Sequence, residues 1–562
     1  MDYKPLPIGI DNYEEIIEKG YYYVDKTMLI QKLLDSTAKV TIFTRPRRFG
    51  KSLNLSMLQY FFETNDSDNA RLFEKRMIAK AGDNYTKHMG KYPVIMLNFK
   101  EGKQLTFLSS YTHIKSSIVN EFNRHKELLT KYSFEQWEIE KYSQLMSGVG
   151  DIDLYVDSIK FLTQCLEKAY GEKVILLLDE YDVPLENAYF KGFYDEMIAF
   201  IRGVLSGALK TNNSLFMAVL TGCLRISKES IFTGLNNLEI VSIENKAYGE
   251  YFGFTEEEVE EMLVYYQRQH RSDTVKEWYN GYLFGRTRIY NPWSMVNYMK
   301  SLLTDENEYP KPYWSNTSSN SIVKDLIERS DAVTKSELEI LMAGGTIEKL
   351  IHEDITYEEI YSNMNNLWNF LYFTGYLKKI SERFEEDCTY VTLQIPNKEV
   401  GYIYKMHIMG WMESRIRQTN LSKLYESTIA GDVENIENEI DRILESTVSY
   451  YDTNNSKAGE SFYHGIMVGL YAGISDYQVL SNRESGNGRP DLIIKYPSFK
   501  GKAYIIEFKI TTKHTELEEA ARKALLQIDE QNYRDGLLAD GYTDITVYGI
   551  GFYKKSCLVL KG

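Results

Sequence analysis

Short apolar runs that alternate with helix-like segments constrain the fold of this 562-residue chain more than any other feature. Strands that are buried on both faces read as continuous apolar runs, and strands that alternate with helices form parallel sheets. The first half of the chain therefore predicts a parallel α/β sheet. Its strand-like runs are KVTIFT (39–44), YPVIMLNF (92–99), KVILLLDEYD (173–182) and SLFMAVLTG (214–222).

The loop after the first run resembles a phosphate-binding loop with one changed position. The usual pattern is G-x-x-x-x-G-K-[ST], and Gly50, Lys51 and Ser52 supply its end, but Arg45 stands where the first Gly is expected. A helix-like segment (52–63) follows, so loop N–H groups and the helix N-terminus can point at phosphate oxygens. We expect Lys51 to reach the β and γ phosphates of ATP and Ser52 to ligate Mg²⁺.

The residues around the changed position can replace what the missing Gly provides. Pro46 can fix the turn, and Arg45, Arg47 and Arg48 are expected to add positive charge that attracts phosphates. A GKS sequence in a basic loop is common by chance, so the loop alone leaves nucleotide binding open.

The end of the third run favours a nucleotide site. Four apolar residues precede Asp179 and Glu180, an arrangement typical of the second half of such a site. Asp179 would hold Mg²⁺, usually through water, and Glu180 would polarise the attacking water. A buried strand that ends in surface acids is frequent when seen alone, but its combination with the loop predicts an ATPase site.

The fourth run adds two further candidates. Thr221 ends this strand and could sense the γ-phosphate. Arg225 follows closely and could approach a phosphate of its own or a neighbouring subunit. A lone Arg after a strand is usually a surface residue, which stays the preferred interpretation of Arg225.

A second candidate site lies near the end of the chain. Asp491 lies near the start of the strand-like run RPDLIIKY, and Glu507 and Lys509 face the same way on the run KAYIIEFKI. A hairpin would bring the two carboxylates together, where they could hold a divalent metal, and the Lys could orient water at a phosphodiester. The alternative is a charged pair on a solvated face. Its apolar neighbours argue against that, because buried charges need a reason.

This block resembles the PD-(D/E)xK nuclease superfamily. The resemblance implies that Asp491, Glu507 and Lys509 form the catalytic set, with Mg²⁺ or Mn²⁺ held by the two acids. It also implies a role for Glu460, which matches an extra acid on the first core helix, and for Gln527 on the following helix.

In the exonuclease branch of that superfamily, the helical Gln is followed by Tyr four residues on. Here Gln531 occupies that place, and the next Tyr is Tyr533. That branch is therefore not indicated.

Five stretches spread over nearly the whole chain resemble one family. They are YYYVDKTMLI (21–30), RPRRFGKS (45–52), ILLLDEYDVPL (175–185), IFTGLNNL (231–238) and YNPWS (290–294). The chain is similar to bacterial AAA-ATPase-like proteins that end in a PD-(D/E)xK domain. In that family an arginine-rich loop replaces the first Gly, so the resemblance explains the change at Arg45.

The predicted fold class is α/β, in three domains. From about residue 250 the chain becomes mostly helical, with a loop or hairpin expected at 278–295 and an acidic, solvated connecting helix at 432–447. The expected domains are a P-loop NTPase parallel-sheet domain (1–250), a mainly helical lid or connector (251–448) and a restriction-endonuclease-like α/β domain (449–562).

Three aromatic features are expected to be structural. His464 could be a metal ligand or a base, but a packed helical His with satisfied hydrogen bonds is preferred. The pairs Tyr22–Tyr23 and Trp278–Tyr279 could stack on adenine or on a nucleic acid base. Packing in the protein core is the preferred interpretation of both pairs.

The composition of the chain limits its possible surface properties and cellular location. The net charge of -15 argues against a surface that coats nucleic acid, although a local basic groove stays compatible with it. The four cysteines form no C-x-x-C pair, which favours a reducing, cytoplasmic location over a zinc or disulfide framework. The first residues do not read as a signal peptide, and no segment is long and apolar enough to cross a membrane.

Together these features predict an ATP-binding and hydrolysing protein fused to a metal-dependent nuclease that cuts DNA or RNA, with nucleotide binding gating the cut. Two alternatives stay open. One is a nucleotide-dependent switch whose last domain binds nucleic acid without cutting it. The other is an interaction protein or scaffold of a host-defence or mobile-element system. A homo-oligomer is compatible with each of them.

Overall fold

The computed structural model describes residues 3–64, 68–224, 232, 237–316, 321–329, 331–353, 357–360, 364–418, 420–447, 456–481 and 488–562. The chain divides into two compact units. The first unit comprises Met1–Ser319 and Glu348–Tyr402, and the second comprises Asn320–Ile347 and Ile403–Gly562. The predicted boundaries of the three domains stay predictions.

Among the described residues, the first unit is built around a five-stranded parallel sheet, as the sequence predicts. The strands are β1 (Val40–Thr44), β2 (Val94–Asn98), β3 (Val174–Asp179), β4 (Leu215–Gly222) and β5 (Leu238–Val241). Their order is β2-β3-β4-β1-β5. Every residue of β1 and β3 is buried, which accounts for their continuous apolar sequences.

The register of the sheet brings the candidate residues to one edge. Asn98 of β2 pairs with Asp179 of β3, and Thr44 of β1 pairs with Gly222 of β4. Because all these strands are parallel, their carboxyl ends meet, and the loops that carry the candidate nucleotide site start there.

Helices connect and cover the strands. They are α1 (Tyr13–Glu18), α2 (Met28–Asp35), α3 (Lys51–Phe62), α4 (Asp83–Thr86), α5 (Phe107–Arg124), α6 (Leu128–Lys131), α7 (Gln136–Ser147), α8 (Ile152–Val156), α9 (Ser158–Tyr170), α10 (Val183–Lys191), α11 (Tyr194–Leu209), α12 (Glu256–Tyr265), α13 (Ser272–Tyr279), α14 (Pro292–Thr304), α15 (Ser321–Arg329), α16 (Ala332–Met342), α17 (Tyr357–Ile360), α18 (Met364–Phe373), α19 (Lys398–Gln418), α20 (Ser422–Ala430), α21 (Val433–Thr447), α22 (Ser456–Tyr471), α23 (Leu517–Glu530) and α24 (Tyr533–Ala539). None of the helices built from described residues combines the length and apolarity that crossing a membrane requires.

The stretch 278–295 is only partly the hairpin that was expected. Strands β6 (Tyr282–Phe284) and β7 (Thr287–Ile289) form an antiparallel pair. The prediction is wrong at both ends of the stretch, because α13 continues to Tyr279 and α14 begins at Pro292. The Asn291 side chain accepts hydrogen bonds from the N–H groups of Trp293 and Ser294, and Pro292 occupies the first helical position, where its missing N–H costs nothing.

The remaining strands form two further sheets. Strands β8 (Ile347–Ile351), β9 (Lys378–Glu385) and β10 (Cys388–Gln394) form a sheet of order β8-β10-β9. In the second unit, β11 (Gln478–Ser481), β12 (Leu492–Lys495), β13 (Ala503–Ile510), β14 (Ile545–Tyr553) and β15 (Ser556–Lys561) follow one another in sequence order. Only the β13–β14 pair of this sheet is parallel among the described strands, and α23 lies in the connection between those two strands.

Helix α21 packs on the edge strand β15, so its interpretation as a solvated connecting helix is wrong. Its apolar stripe is buried, at Ile436, Ile440, Ile443 and Leu444. Two of its acids meet the open edge of the sheet. Glu437 accepts a hydrogen bond from the N–H of Val559, and Asp441 accepts one from the N–H of Cys557, each at 2.7 Å.

Removing the Ile440 side chain should loosen this edge. Ile440 is fully buried, and Ile440→Ala is expected to cost about 2–4 kcal/mol. In the full-length protein, hydrogen exchange of peptides that cover β15 should then accelerate about 30-fold or more. The exposed Glu434→Ala on the same helix is the control, and equal exchange in both variants would contradict the packing of α21 on β15.

Candidate functional site

The loop between β1 and α3 contains two left-handed residues. Gly50 precedes α3 with φ 81° and ψ 18°. No atom lies within 4 Å of the position that a Cβ would take there, so the backbone angle, not the available space, requires Gly. Arg48 has φ 69°, which is unusual for a residue with a side chain and frequent at functional sites.

Lys51 and Ser52 lie where the sequence places them, at the first turn of α3. The Lys51 Nζ is buried and donates hydrogen bonds to the carbonyl oxygens of Arg45 at 2.9 Å and Pro46 at 3.0 Å. The Ser52 hydroxyl donates to Asp179 Oδ2 at 2.6 Å. The structure therefore brings together two residues that are 127 positions apart.

Asp179 is the centre of this edge of the sheet. Its carboxylate is fully buried and accepts hydrogen bonds from Ser52, from the Thr221 hydroxyl and from Asn98 Nδ2, the last at 3.2 Å. A Ser hydroxyl beside a carboxylate supplies the hard oxygen atoms that Mg²⁺ prefers, so these residues fit that metal. Thr221 contacts Asp179 itself, and its role as a sensor of the γ-phosphate stays a prediction.

Glu180 follows Asp179 with a left-handed backbone of φ 52°. Burial raises the pKa of its carboxyl, the charge of Asp179 raises it further, and Lys51, Lys100 and Arg47 oppose the shift. A carboxyl with a raised pKa beside a cavity is a candidate for proton transfer.

Arg45 does not face the phosphate side, so the expectation that it adds charge there is wrong. Its guanidinium is fully buried, donates hydrogen bonds to the carbonyls of Thr44 at 2.9 Å and Val241 at 2.8 Å, and lies over the rings of Phe252 and Phe284. Burial lowers its pKa to about 9. The side chain thus joins the ends of β1 and β5.

Arg47 and Arg48 do lie beside the loop. The Arg47 guanidinium forms an ion pair with Glu186. The Arg48 guanidinium lies over the ring of Trp293, 4.3 Å from its centre.

A cavity of about 340 Å³ opens beside the loop. Its walls include Arg47, Arg48, Gly50, Lys51, Ser52, Asn98, Lys100, Lys103, Glu180, the N-terminal segment Pro7, Ile8, Gly9, Ile10 and Asp11, and Trp293, Val296 and Asn297 of α14. The lining of the cavity thus includes both cationic and apolar groups.

Two residues at this edge escaped the sequence analysis. Asn98 ends an apolar run at the register position of Asp179, and a polar residue at the carboxyl end of a parallel strand was the available signal. Asp182 is buried and accepts hydrogen bonds from the N–H groups of Cys223 at 2.7 Å and Leu224 at 3.0 Å. Burial raises the pKa of Asp182 to about 6.

The preference for packing holds for the aromatic pairs. Tyr22 contacts the rings of Tyr265 and Tyr266, although it also lines the cavity. Tyr279 is fully buried and packs against Tyr298.

The side chains of two predicted site residues, Arg225 and Glu460, are not among those that the structure describes. Arg225 falls outside the described residues. Glu460 falls within the range of α22, but its side chain is not among those described.

A buried carboxylate, that of Glu399, is connected through Trp314 to the loop between β1 and α3. Glu399 accepts hydrogen bonds from the Ser294 hydroxyl and from the N–H of Trp314, both at 2.9 Å. The Trp314 indole donates to the carbonyl of Arg47 at 3.2 Å. Burial raises the pKa of Glu399 to about 7.

Asp491, Glu507 and Lys509 also meet, at the start of β12 and the end of β13. The Asp491 N–H donates to Glu507 Oε2 at 3.1 Å, and Asp491 Oδ2 accepts from the N–H of Phe508 at 3.1 Å. Lys509 Nζ lies 3.5 Å from Glu507 Oε1.

This pair of acids fits a divalent cation. Glu507 is buried, and burial followed by the charge of Asp491 raises its pKa to about 7. A cation between the two carboxylates would relieve that repulsion. Within the described part of the chain, no group of three or more His, Cys, Asp and Glu residues could hold a metal.

Gln527 of α23 and His464 of α22 also lie near this site. Gln527 Nε2 donates to Glu507 Oε1 at 2.5 Å. His464 Nε2 lies 3.2 Å from the carbonyl oxygen of Asp491 and 2.9 Å from the Ser481 hydroxyl. His464 is thus a hydrogen-bonded helical residue, as preferred from the sequence.

Comparison with known proteins finds matches at both ends of the chain. Residues 7–232 match the family described as "Predicted AAA-ATPase", and residues 458–561 match the PD-(D/E)XK nuclease superfamily. The chain is also 25% identical over 559 residues to an Azotobacter chroococcum mcd 1 protein described as "Uncharacterized protein in vnfD 5'region". The aligned residues make up 99% of this chain and 98% of that protein. The two family matches confirm the resemblance seen in the sequence.

Restoring the usual Gly at position 45 should damage the loop. Arg45→Gly removes two hydrogen bonds and the aromatic contacts, and it frees the backbone that carries the Lys51 acceptor, so the affinity for a fluorescent ATP analogue should fall about tenfold or more. Arg45→Met keeps much of the apolar volume and should lose less. Equal or tighter binding by Arg45→Gly would contradict this role.

Glu399 should make the stability of the protein depend on pH. Its folded pKa of about 7 lies above the ordinary 4.5, so its contribution is fully present below pH 4.5 and is lost as pH rises through 7, by at most about 3 kcal/mol. Urea unfolding followed by tryptophan fluorescence between pH 5 and 8 should show this loss. The slope should flatten in Glu399→Gln but persist in the exposed control Glu386→Gln.

Proposed function

Because the chain joins an AAA-ATPase-like domain to a domain of the PD-(D/E)XK nuclease superfamily, we propose that it hydrolyses ATP and cuts phosphodiester bonds of nucleic acid. One observation carries the proposal. In each domain, charged and polar residues from different elements meet at one point, Ser52 with Asp179 and Asp491 with Glu507.

The nucleotide would bind beside the loop. Loop N–H groups and the N-terminus of α3 favour phosphate, and Lys51 would exchange its two carbonyl partners for β and γ phosphate oxygens. Arg47 and Arg48 would add positive charge. The cavity volume lies in the range of small-molecule sites, and its apolar part beside Val296 suits a base.

Ser52 and Asp179 would hold Mg²⁺ at this site. When bound, Mg²⁺ neutralises charge on the phosphate oxygens. Glu180 would orient and deprotonate the attacking water, a task that its raised pKa favours. Thr221 would report the presence of the γ-phosphate through its hydrogen bond with Asp179.

Asp491 and Glu507 would hold Mg²⁺ or Mn²⁺ at the nuclease site. A divalent metal bound there would polarise the phosphodiester and lower the pKa of water. Lys509 would orient the attacking water or stabilise the charge of the transition state. Gln527 fixes one oxygen of Glu507 by its hydrogen bond. Glu460 would add a further acid.

The proposal extends to the cellular location, the substrate and the assembly of the protein. All four cysteines are free thiols, which suits the reducing cytoplasm of a bacterium. The polymer cut would be DNA or RNA. A homo-oligomer could supply Arg225 to a neighbouring nucleotide site. We further propose that nucleotide binding gates the cut, since both sites share one chain.

Single substitutions should separate the two activities. Lys51→Ala should lower ATP hydrolysis, and Asp491→Asn should lower cleavage of labelled DNA or RNA, each by about 10²-fold or more, because each removes a charge that acts in the transition state. Single- and double-stranded substrates are tested with Mg²⁺ or Mn²⁺, with and without ATP.

Two exposed residues away from both sites provide the control variants. The exposed Lys75→Ala and Asp544→Asn should leave both activities unchanged. Binding of nucleic acid without cleavage would favour the switch, and a stable protein partner without either turnover would favour the scaffold. Cleavage by Lys51→Ala that equals the wild type at every ATP concentration would exclude gating.

A further inference from the structure

The hydroxyl of Tyr533 lies between two parts of the nuclease site. Gln527 Nε2 donates to this hydroxyl at 3.2 Å as well as to Glu507. The Tyr533 hydroxyl donates to the carbonyl oxygen of Arg489 at 3.4 Å, two residues before Asp491. A chain of hydrogen bonds therefore runs from the segment before one acid to the side chain of the other.

The directions of these hydrogen bonds follow from the groups involved. A carbonyl only accepts, so the single proton of the Tyr533 hydroxyl goes to Arg489 and the hydroxyl oxygen accepts from Gln527. Both bonds of Gln527 then use its amide nitrogen. This orientation gives Glu507 a donor, whereas the flipped amide would face the carboxylate with an oxygen.

The backbone explains how a Tyr six residues after Gln527 reaches it. Helix α23 ends at Glu530, and Asn532 adopts a left-handed conformation with φ 53° that turns the chain back. The Tyr533 ring is buried with Ile493 and Ile528. Gly488 passes so close that a Cβ there would lie 3.1 Å from the ring.

We propose that Tyr533 is a positioning residue of the nuclease site. It orients the amide of Gln527 and holds the peptide before Asp491, and through these two contacts it sets the spacing of the carboxylates that would share a divalent cation. Partners that orient metal ligands in this way affect metal affinity strongly. The inference rests on the proposed nuclease function and assigns that site a residue that its sequence motif does not contain.

Tyr533→Phe tests the hydroxyl while keeping the ring. The matched control is Tyr542→Phe, because Tyr542 lies in the same buried cluster and its hydroxyl also donates to a backbone carbonyl, that of Tyr496 at 2.6 Å. Mn²⁺ binding is measured on full-length protein without nucleotide by electron paramagnetic resonance. The part of the binding that Asp491→Ala removes defines the site.

Tyr533→Phe should weaken Mn²⁺ binding at this site about tenfold and lower kcat for cleavage, with the KM for nucleic acid unchanged within about twofold. Tyr542→Phe should change neither quantity. Because Tyr533 acts in part through Gln527, the double variant with Gln527→Met should lose less than the product of the single losses.

Three outcomes would overturn the proposal: unchanged Mn²⁺ binding in Tyr533→Phe, equal losses in Tyr542→Phe, or fully multiplicative losses in the double variant. A wild-type protein that binds Mn²⁺ at Asp491 but cuts no nucleic acid would contradict the nuclease function alone, and the Mn²⁺ comparison would still decide on Tyr533. A wild-type protein that binds no Mn²⁺ there would overturn both.

Discussion

A fully buried carboxylate, that of Asp179, constrains the whole first unit. A buried charge is tolerated only when donors surround it. The donors here come from three different segments: Asn98 ends β2, Thr221 ends β4, and Ser52 begins the helix after β1. A slip of one residue in any of these segments would remove one of the three donors from the buried carboxylate. The same contacts that satisfy the charge therefore fix the strand register and the position of the loop.

Local sequence could predict much of this edge, because strand periodicity and the loop pattern are local signals. It predicted the sheet, the loop and the meeting of Ser52 with Asp179. The inward direction of Arg45 was not predictable in this way, since its acceptor Val241 lies 196 residues further along the chain. Asn291 and Pro292 did carry a local helix-start signal, and the long irregular stretch around them concealed it.

In the second unit, too, local sequence predicts some features, while others depend on residues far along the chain. Two strands that run side by side bring Asp491 to Glu507, and the alternation of residues on β13 predicts that Lys509 joins them. The exonuclease-type spacing places a Tyr four residues after the helical Gln, so that pattern does not point to Tyr533, six residues after Gln527. The left-handed Asn532 breaks that spacing, and such a turn leaves little trace in a sequence. The burial of α21 depends on β15, which lies more than a hundred residues later.

The two acids of α21 have a consequence for self-association. An uncovered edge strand is a template on which a strand of another molecule can add, and this is how many proteins form fibres or swap segments. Glu437 and Asp441 occupy the N–H groups of Val559 and Cys557 that such a strand would use. An incoming strand would have to displace a packed helix and two carboxylates. This edge is therefore protected against the addition of strands from other molecules, and such an addition would require α21 to leave β15.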